Sequence, residues 1–397
     1  MPGPGPARIG RPPQRGYADG PRHNRRVPRT SPRWPLAAGL AAGVALDALF
    51  GDPRRGHPVA AFGRAAAALE ARDYADSRRR GAAHAAACVL AVALPAAALH
   101  RRTRSRPPDQ AVAVASAVWA VTGARSLHKE AERVWFALHR HDLAAARQVL
   151  PSLCGRDPAG LGETEMARAV VESVAENTSD AVVAPLLWGA VAGLPGLVAY
   201  RAVNTLDAMV GHRSARYLRF GWASARLDDL ANWVPARATA ALTAACAPLV
   251  TGARPGSVLN VVSRDGGHHP SPNAGRCEAA FAAALGVRLG GTNVYDDMAE
   301  TRPDLGDGRV PELEDIRRAI ALSRAVTMSG TALAVLIALL PRRVGLPAEE
   351  EGDQEDDQRG DGHPPQQVQG ESGAEQGQDD QQGDNEQQHC SVPPSKA

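Results

Sequence analysis

Lysine is almost missing from this chain: Lys129 and Lys396 are the only two in 397 residues, so arginine carries nearly all of its positive-charge chemistry. Aromatic residues make up only 4%. The five cysteines, Cys88, Cys154, Cys246, Cys277 and Cys390, form no CxxC pair. Their spacing supports neither a disulfide framework nor a zinc site and fits a reducing compartment. A dinucleotide fingerprint, a P-loop, a serine nucleophile elbow and a zinc-protease helix motif are all lacking. Long apolar runs are scarce too, and most fall short of the ~20 residues a perpendicular helix needs to cross the hydrocarbon core. What is there, 44% hydrophobic residues with 39 Gly and 31 Pro, still excludes a small stapled fold, a collagen-like fibre and a wholly disordered chain.

The formal net charge of +2 hides three regions of different sign. Residues 1–35 hold eight Arg against Asp19, and residues 348–397 hold fourteen Asp and Glu against Arg359 and Lys396, which leaves the middle at +7. The first segment has too little apolar surface to offset the entropy of ordering and reads as a disordered basic extension. It lacks the continuous apolar core of a cleaved signal. The last segment, rich in Asp, Glu, Gln and Gly, reads as a disordered acidic tail. The working domain is therefore expected over residues 36–347.

Six apolar stretches cross that domain, at residues 36–50, 84–99, 111–122, 181–200, 238–250 and 325–340. Their Ala content would suit buried helices of a soluble bundle. Their freedom from charge, and arginine-dense flanks such as Arg78-Arg79-Arg80 and 101–106, favour membrane segments with topogenic charge. The expected fold is all-α: a multi-pass helical membrane protein with long polar loops. If every stretch spanned, residues 201–237 would lie on the opposite side from their neighbours, and one site could not use them all. Gly193-Leu194-Pro195-Gly196 and Pro248 offer a way out, because such breaks suit broken or re-entrant helices. Residues 181–200 and 238–250 are thus expected not to both span simply.

Glu172, Glu176 and Asp180 recur every four residues, which places three carboxylates on one helical face with no cation between them. Asn204 and Asp207 are three apart, and Asp228, Asp229 and Asn232 combine adjacent acids with an amide one turn on. Such oxygen donors suit Mg²⁺ with bound phosphate, and the many nearby arginines suit phosphate or carboxylate; internal Asp–Arg pairing is the bland alternative. The turn-rich run from Arg264 through His268, His269, Ser271 and Asn273 looks like a binding loop. The 286–293 glycine run could cradle phosphate. Trp222 and Trp233 read as interfacial anchors or core.

Several strings are specific enough to carry a resemblance. They are GDP with HPV near residue 51, GRDPAGL from Gly155, AVVESVAENTSDAVVAPLLW from Ala169 and YRAVNTLDAMVGH from Tyr200. RYLRFGWASARLDDLANWVPAR follows from Arg216, then HPSPNAG from His269 and GVRLGGTNVY from Gly286. In this order, over roughly residues 36–340, the chain resembles the adenosylcobinamide-phosphate synthase (CobD/CbiB) family of cobalamin biosynthesis.

That resemblance implies a multi-pass enzyme of the cell membrane. It would join adenosylcobyric acid to aminopropanol or its O-phosphate in amide linkage, as an ATP-dependent carbon–nitrogen ligase. Mg²⁺ and ATP are the implied cofactor and cosubstrate, with no zinc and no haem. Partners would be the corrinoid, the amine, the lipid bilayer and other cobalamin-pathway enzymes, but not nucleic acid. Glu176, Asp180, Asp207, Asp228, Asp229 and Asn232 are then expected at the metal. Asn177, Asn204, Arg226, Arg264, Ser271 and Asn273 are expected at substrate or nucleotide, and His269, Arg237 and Glu172 in catalysis, with His269 taking the amine's proton. Two features depart from the family pattern: Arg201 stands where lysine is usual, and Gly266-Gly267-His268 replaces a more basic spacer. A noncatalytic scaffold would tolerate loss of the acids. A transporter would usually show an internal repeat, and none is found.

Overall fold

The computed structural model describes residues 1, 3, 5, 33–52, 56–295 and 298–341. The expected acidic tail over 348–397 and nearly all of the basic extension over 1–35 lie outside them.

Helix α1 (Trp34–Phe50) carries Pro35 in its first turn, where a missing N–H costs nothing, and stops at Gly51 with φ 66°. Helices α2 (Pro58–Asp73), α3 (Arg78–Thr103) and α4 (Pro107–Val121) follow. Gly39 and Gly43 of α1 lie directly against Val114 and Val118 of α4, which sets these two helices side by side and parallel. Helices α5 (Ala124–His139) and α6 (Leu143–Val149) lead to α7 (Glu163–Thr178), a π turn at Ser179–Val183, α8 (Ala184–Leu206) and a second π turn at Asp207–Gly211.

The long run from α7 through α8 is not straight. At Gly193 the backbone takes φ 69° and ψ −157°, a conformation open essentially to glycine alone, with Pro195 just beyond. The chain reverses there. Tyr200 Oη donates to the carbonyl of Asp180 at 3.2 Å, so the two arms lie antiparallel. From Asp180 to the tip is about 20 Å at 1.5 Å per residue, shorter than the ~30 Å hydrocarbon core of a bilayer.

After the loop at 212–216 the chain reverses a second time. Helices α9 (Tyr217–Phe220) and α10 (Trp222–Ala231) run back along α8, with Asn204 opposite Asp228 and Tyr200 opposite Asn232, and α11 (Trp233–Val250) follows. Trp188 Nε1 donates to the carbonyl of Ala231 at 3.0 Å. Helices α12 (Pro255–Asp265) and α13 (Ala274–Leu285) precede an antiparallel hairpin, β1 (Leu289–Tyr295) with β2 (Met298–Leu305). That hairpin is the one departure from helix that periodicity did not reveal, and it absorbs the 286–293 glycine run. Gly286 caps α13 at φ 70°, and Gly290 lies against the carbonyl of Pro303.

Helix α14 (Leu313–Leu339) joins two apolar cores. One packs α5, α7, α11, α12 and α13 around Val170, Phe281 and Ile316; the other packs α1, α4 and α8 around Leu40, Val118 and Leu197. All six apolar stretches fall on helices. Among the described residues three runs are long and apolar enough to cross a membrane: Arg78–Thr103, Glu163–Gly211 and Leu313–Leu339.

Candidate active site

The two reversals bring α7, α8, α10 and both π turns to one place. Asp180 sits in the first π turn and Asp207 opens the second, and π turns displace side chains from the faces a 3.6-residue repeat assigns them. At the centre, Asn204 Nδ2 lies 3.3 Å from Asp180 Oδ2 and 3.3 Å from Asp228 Oδ1. Asn232 Nδ2 donates to Asp228 Oδ2 at 3.0 Å, while its own Oδ1 accepts from Tyr200 Oη at 2.8 Å. Arg201 donates to Asn204 Oδ1 at 3.3 Å and so keeps its charge beside the acids. Gly221 is what lets α10 approach this closely, since a Cβ there would fall 1.7 Å from the carbonyl of Val210.

Amides, rather than cations, hold these carboxylates. Burial pushes the Asp228 carboxyl above the usual aspartate range, although Asn232 and Asn204 donate to it. Asp229 is raised by burial as well, with Arg226 and Arg213 acting against the shift. Glu176 stays half-buried on the same face, and Asn177 folds back onto its own helix, donating to the Ser173 carbonyl at 2.9 Å.

Beside Asp229 opens a cleft of about 680 Å³ whose walls include Arg78, Arg213, Arg219, Arg226, His212 and Trp222. Sequence reasoning selected only Arg226 from this set; Arg78 read as topogenic charge. No local spacing links the four arginines, because they come from α3, the loop before α9, α9 itself and α10. Arg78 lies over Trp222 at 5.5 Å, and Arg226 reaches Asp229 at 3.5 Å.

Other expected site residues are occupied differently. Glu172 forms a buried ion pair with Arg156 and accepts from the Gly290 amide at 2.8 Å, which ties α7 to β1. Both its oxygens are thus engaged by protein groups, and Arg156 is the partner that a helical repeat cannot reveal. Arg264 is held by Asp265 at 2.6 Å and Asp307 at 2.7 Å, and it does not line the cleft. Ser271 Oγ accepts from the amides of Asn273 and Ala274 at 3.3 and 3.2 Å, so it organises the start of α13. Asn273 donates to the carbonyl of Asp229 at 2.8 Å, and Arg237 covers the Trp233 ring at 4.2 Å while reaching Asn273 Oδ1 at 3.4 Å.

His269 lines the cleft, but both its ring nitrogens face protein. A backbone N–H can only donate, so Nδ1 accepts from Ser271 at 3.0 Å, and Nε2 faces Glu278 Oε1 at 3.8 Å. Glu278, missed in the sequence as a lone acid in an alanine-rich helix, is buried. That burial, together with Glu172 and Glu176, pushes its carboxyl well above the usual range.

The donor set fits Mg²⁺ in a particular way. Among the described residues no three His, Cys, Asp or Glu side chains are arranged to hold a metal ion. Mg²⁺, however, is commonly held by one or two carboxylates together with substrate phosphates. Asp180 and Asp228, joined through Asn204 and next to an arginine cleft, match that habit.

Comparisons with known proteins agree on the family. The model of the CobD/Cbib protein family matches residues 40–323. A cobalamin biosynthesis protein CobD from Mycobacterium tuberculosis (strain ATCC 25618 / H37Rv) is 55% identical over 302 residues, which cover 76% of this chain and 95% of that protein. The proteins of the same name from Geobacter metallireducens and Rhodobacter capsulatus are 48% and 40% identical, covering 68% and 77% of this chain and 86% and 98% of their own lengths. No solved structure matches this chain. With acids, amides and arginines gathered by two chain reversals, and with these relatives spanning nearly their full lengths, the chain belongs to the CobD/CbiB family of cobalamin biosynthesis proteins.

Proposed function

We propose that this protein is a membrane-embedded ligase that attaches aminopropanol or its O-phosphate to adenosylcobyric acid. The observation that carries the reading is the Asp180–Asn204–Asp228 bridge together with a cleft of four arginines lined by Asp229, the neighbour of Asp228 in the chain. Amide formation from a carboxylate and an amine needs an activated carboxyl. Transfer of phosphate from ATP to the propionate oxygen releases ADP, and attack of the amine on the carbonyl then releases phosphate and leaves the amide.

This chain's residues suit those demands. Arg78, Arg213, Arg219 and Arg226 would hold phosphoryl oxygens by charge-assisted hydrogen bonds. Asp180 and Asp228 would hold Mg²⁺, whose chemistry when bound is to neutralise the transferred phosphoryl group. Asn204 fixes the spacing of those two carboxylates. Asp229, at the cleft wall with its carboxyl raised by burial, is placed to take the amine's proton. His269, committed to Ser271 and Glu278, orients the loop instead.

Membrane insertion is supported by outward-facing apolar side chains on the long helices: Leu90, Leu94 and Leu99 of α3, and Met328 and Leu336 of α14. Trp222 and Trp233, each under an arginine, suit the interface. The contacts of Asp180 with Asn204, and of Asn204 with Asp228, support one shared side for residues 123–180 and 201–237.

The test supplies membranes containing the protein with adenosylcobyric acid, Mg²⁺ and ATP, and gives aminopropanol and its O-phosphate separately. Amide product from one amine identifies the nucleophile. Corrin binding without product from either amine overturns the ligase reading in favour of a noncatalytic scaffold.

A further inference from the structure

A groove of about 960 Å³, larger than the arginine cleft and sharing no lining residue with it, runs between α5, α6 and the first half of α14. Six cations face it, Lys129, Arg133, Arg140, Arg317, Arg318 and Arg324, against Glu132 and Asp142. Some are already paired. Arg133 reaches Glu130 at 2.8 Å, Arg324 reaches Glu132 at 2.7 Å, Arg318 reaches Asp315 at 3.0 Å, and Arg317 lies 3.8 Å from Glu314. Among the described residues Lys129 and Arg140 have no carboxylate partner. Arg140 lies over the Phe136 ring at 5.5 Å and Arg317 over Trp135 at 5.0 Å. The indole N–H of Trp135 is buried at the groove wall and has no acceptor. The groove thus offers two cations without acid partners to a ligand bearing oxygen and negative charge.

At one end it meets a second cavity of about 530 Å³, which shares Lys129, Glu132 and Arg324 with the groove and is lined also by Asp47, Arg125 and His128 and by the apolar Ala48, Ala124 and Met328. Along α14 the outward face changes from charged to apolar within one turn, between Arg324 and Met328, and Met328 is 71% exposed. A cationic pocket at the point where the exposed face of α14 turns from charged to apolar matches an anionic amphiphile lying along the bilayer boundary. A free phosphate would use the cations but leave the exposed Met328 face uncovered.

We propose that this groove binds an anionic phospholipid, with the phosphodiester at Lys129, the headgroup extending toward Arg140 about three turns along α5, and an acyl chain along the exposed Met328 face of α14. The inference rests on the membrane reading above, and the lipid site is separate from the corrin chemistry. Lipid held there would brace α5 against α14, the pair also linked where His128 Nε2 meets Ser323 Oγ at 2.8 Å.

The experiment places the full chain in nanodiscs of phosphatidylcholine mixed equally with phosphatidylglycerol and counts retained lipids by native mass spectrometry. Wild-type protein is expected to retain phosphatidylglycerol over phosphatidylcholine. The exposed pair Lys129→Gln with Arg140→Gln is expected to weaken that retention roughly 30-fold while product formation is unchanged. Equal retention of the two lipids by wild type, or undiminished retention by the double variant, overturns the proposal. Displacement of phosphatidylglycerol by inorganic phosphate also overturns it, in favour of a free-phosphate site. Failure to enter discs of either lipid overturns the membrane reading along with it, whereas entry without preference leaves that reading standing.

Discussion

Asp180 and Asn204 are 24 residues apart in one helical run, yet the Asn204 amide lies 3.3 Å from the Asp180 carboxylate. A straight helix would separate them by about 36 Å. Their contact is the direct consequence of the reversal at Gly193, and it decides what the acids can do. Two half-buried carboxylates, Asp180 and Asp228, share one amide donor rather than a cation, which keeps them apart and leaves outer lone pairs for a metal or phosphate complex.

Asn204→Leu removes that shared donor at nearly constant volume. Product formation is expected to fall by roughly 10²-fold or more, with the helical circular dichroism spectrum retained, because Asp180 loses its amide donor while Asp228 keeps only Asn232, and the two carboxylates no longer hold their spacing. Activity within a few-fold of wild type would remove Asn204 from the site.

Gly193→Ala places a side chain where φ is 69° and where a Cβ would meet the His100 ring at 2.8 Å. The expected cost is about 1–3 kcal/mol from the backbone alone. The predicted outcome is a lower Tm and lost activity, and His100→Ala in the same chain should restore only the part due to contact. A neutral Gly193→Ala would mean that the reversal does not depend on this residue.

Glu172→Gln separates a structural role from a catalytic one. Leaving Arg156 buried without its carboxylate is expected to cost about 3–5 kcal/mol, and the pair Arg156→Met with Glu172→Met should recover much of it. The readouts are thermal unfolding together with kcat at a temperature where both variants stay folded. A stable Glu172→Gln protein with kcat abolished would restore Glu172 to the catalytic set.

His128 gives a pH dependence whose sign follows from its surroundings. Burial first, and Arg324 second, hold its imidazole down from 6.5 to about 4. The unfolded chain therefore accepts a proton that the folded chain resists. The stability from the neutral ring is whole above pH 6.5 and is lost as pH falls from 6.5 toward 4, to a limit of about 3 kcal/mol. His128→Gln should flatten that decline, checked by urea midpoints near about pH 7 and about pH 5 for both proteins. An equally steep decline in the variant would assign it to other groups.

Cysteine labelling from either face of sealed vesicles tests the topology. A single cysteine replacing exposed Arg140 and another replacing exposed Arg226 are expected to react from the same side. Reaction from opposite sides would sink the re-entrant arrangement.

The sequence by itself determined the helices. Six apolar stretches, Pro at helix starts and the four-residue spacing of Glu172, Glu176 and Asp180 depend on neighbours within a turn or two, and the chain carries that information locally. It also marked Gly193-Leu194-Pro195-Gly196 as a break, since glycine and proline act on their own backbone. Tertiary structure alone decided where each acid points. Glu172, in the regular part of α7, meets Arg156, while Asp180, inside the π turn that shifts the side-chain register, meets Asn204. The arginine cleft was equally out of reach, because Arg78, Arg213, Arg219 and Arg226 become neighbours only when α3 packs against α9 and α10. Periodicity records which face of a helix is apolar; which polar groups meet across helices is set by packing between segments far apart in the chain.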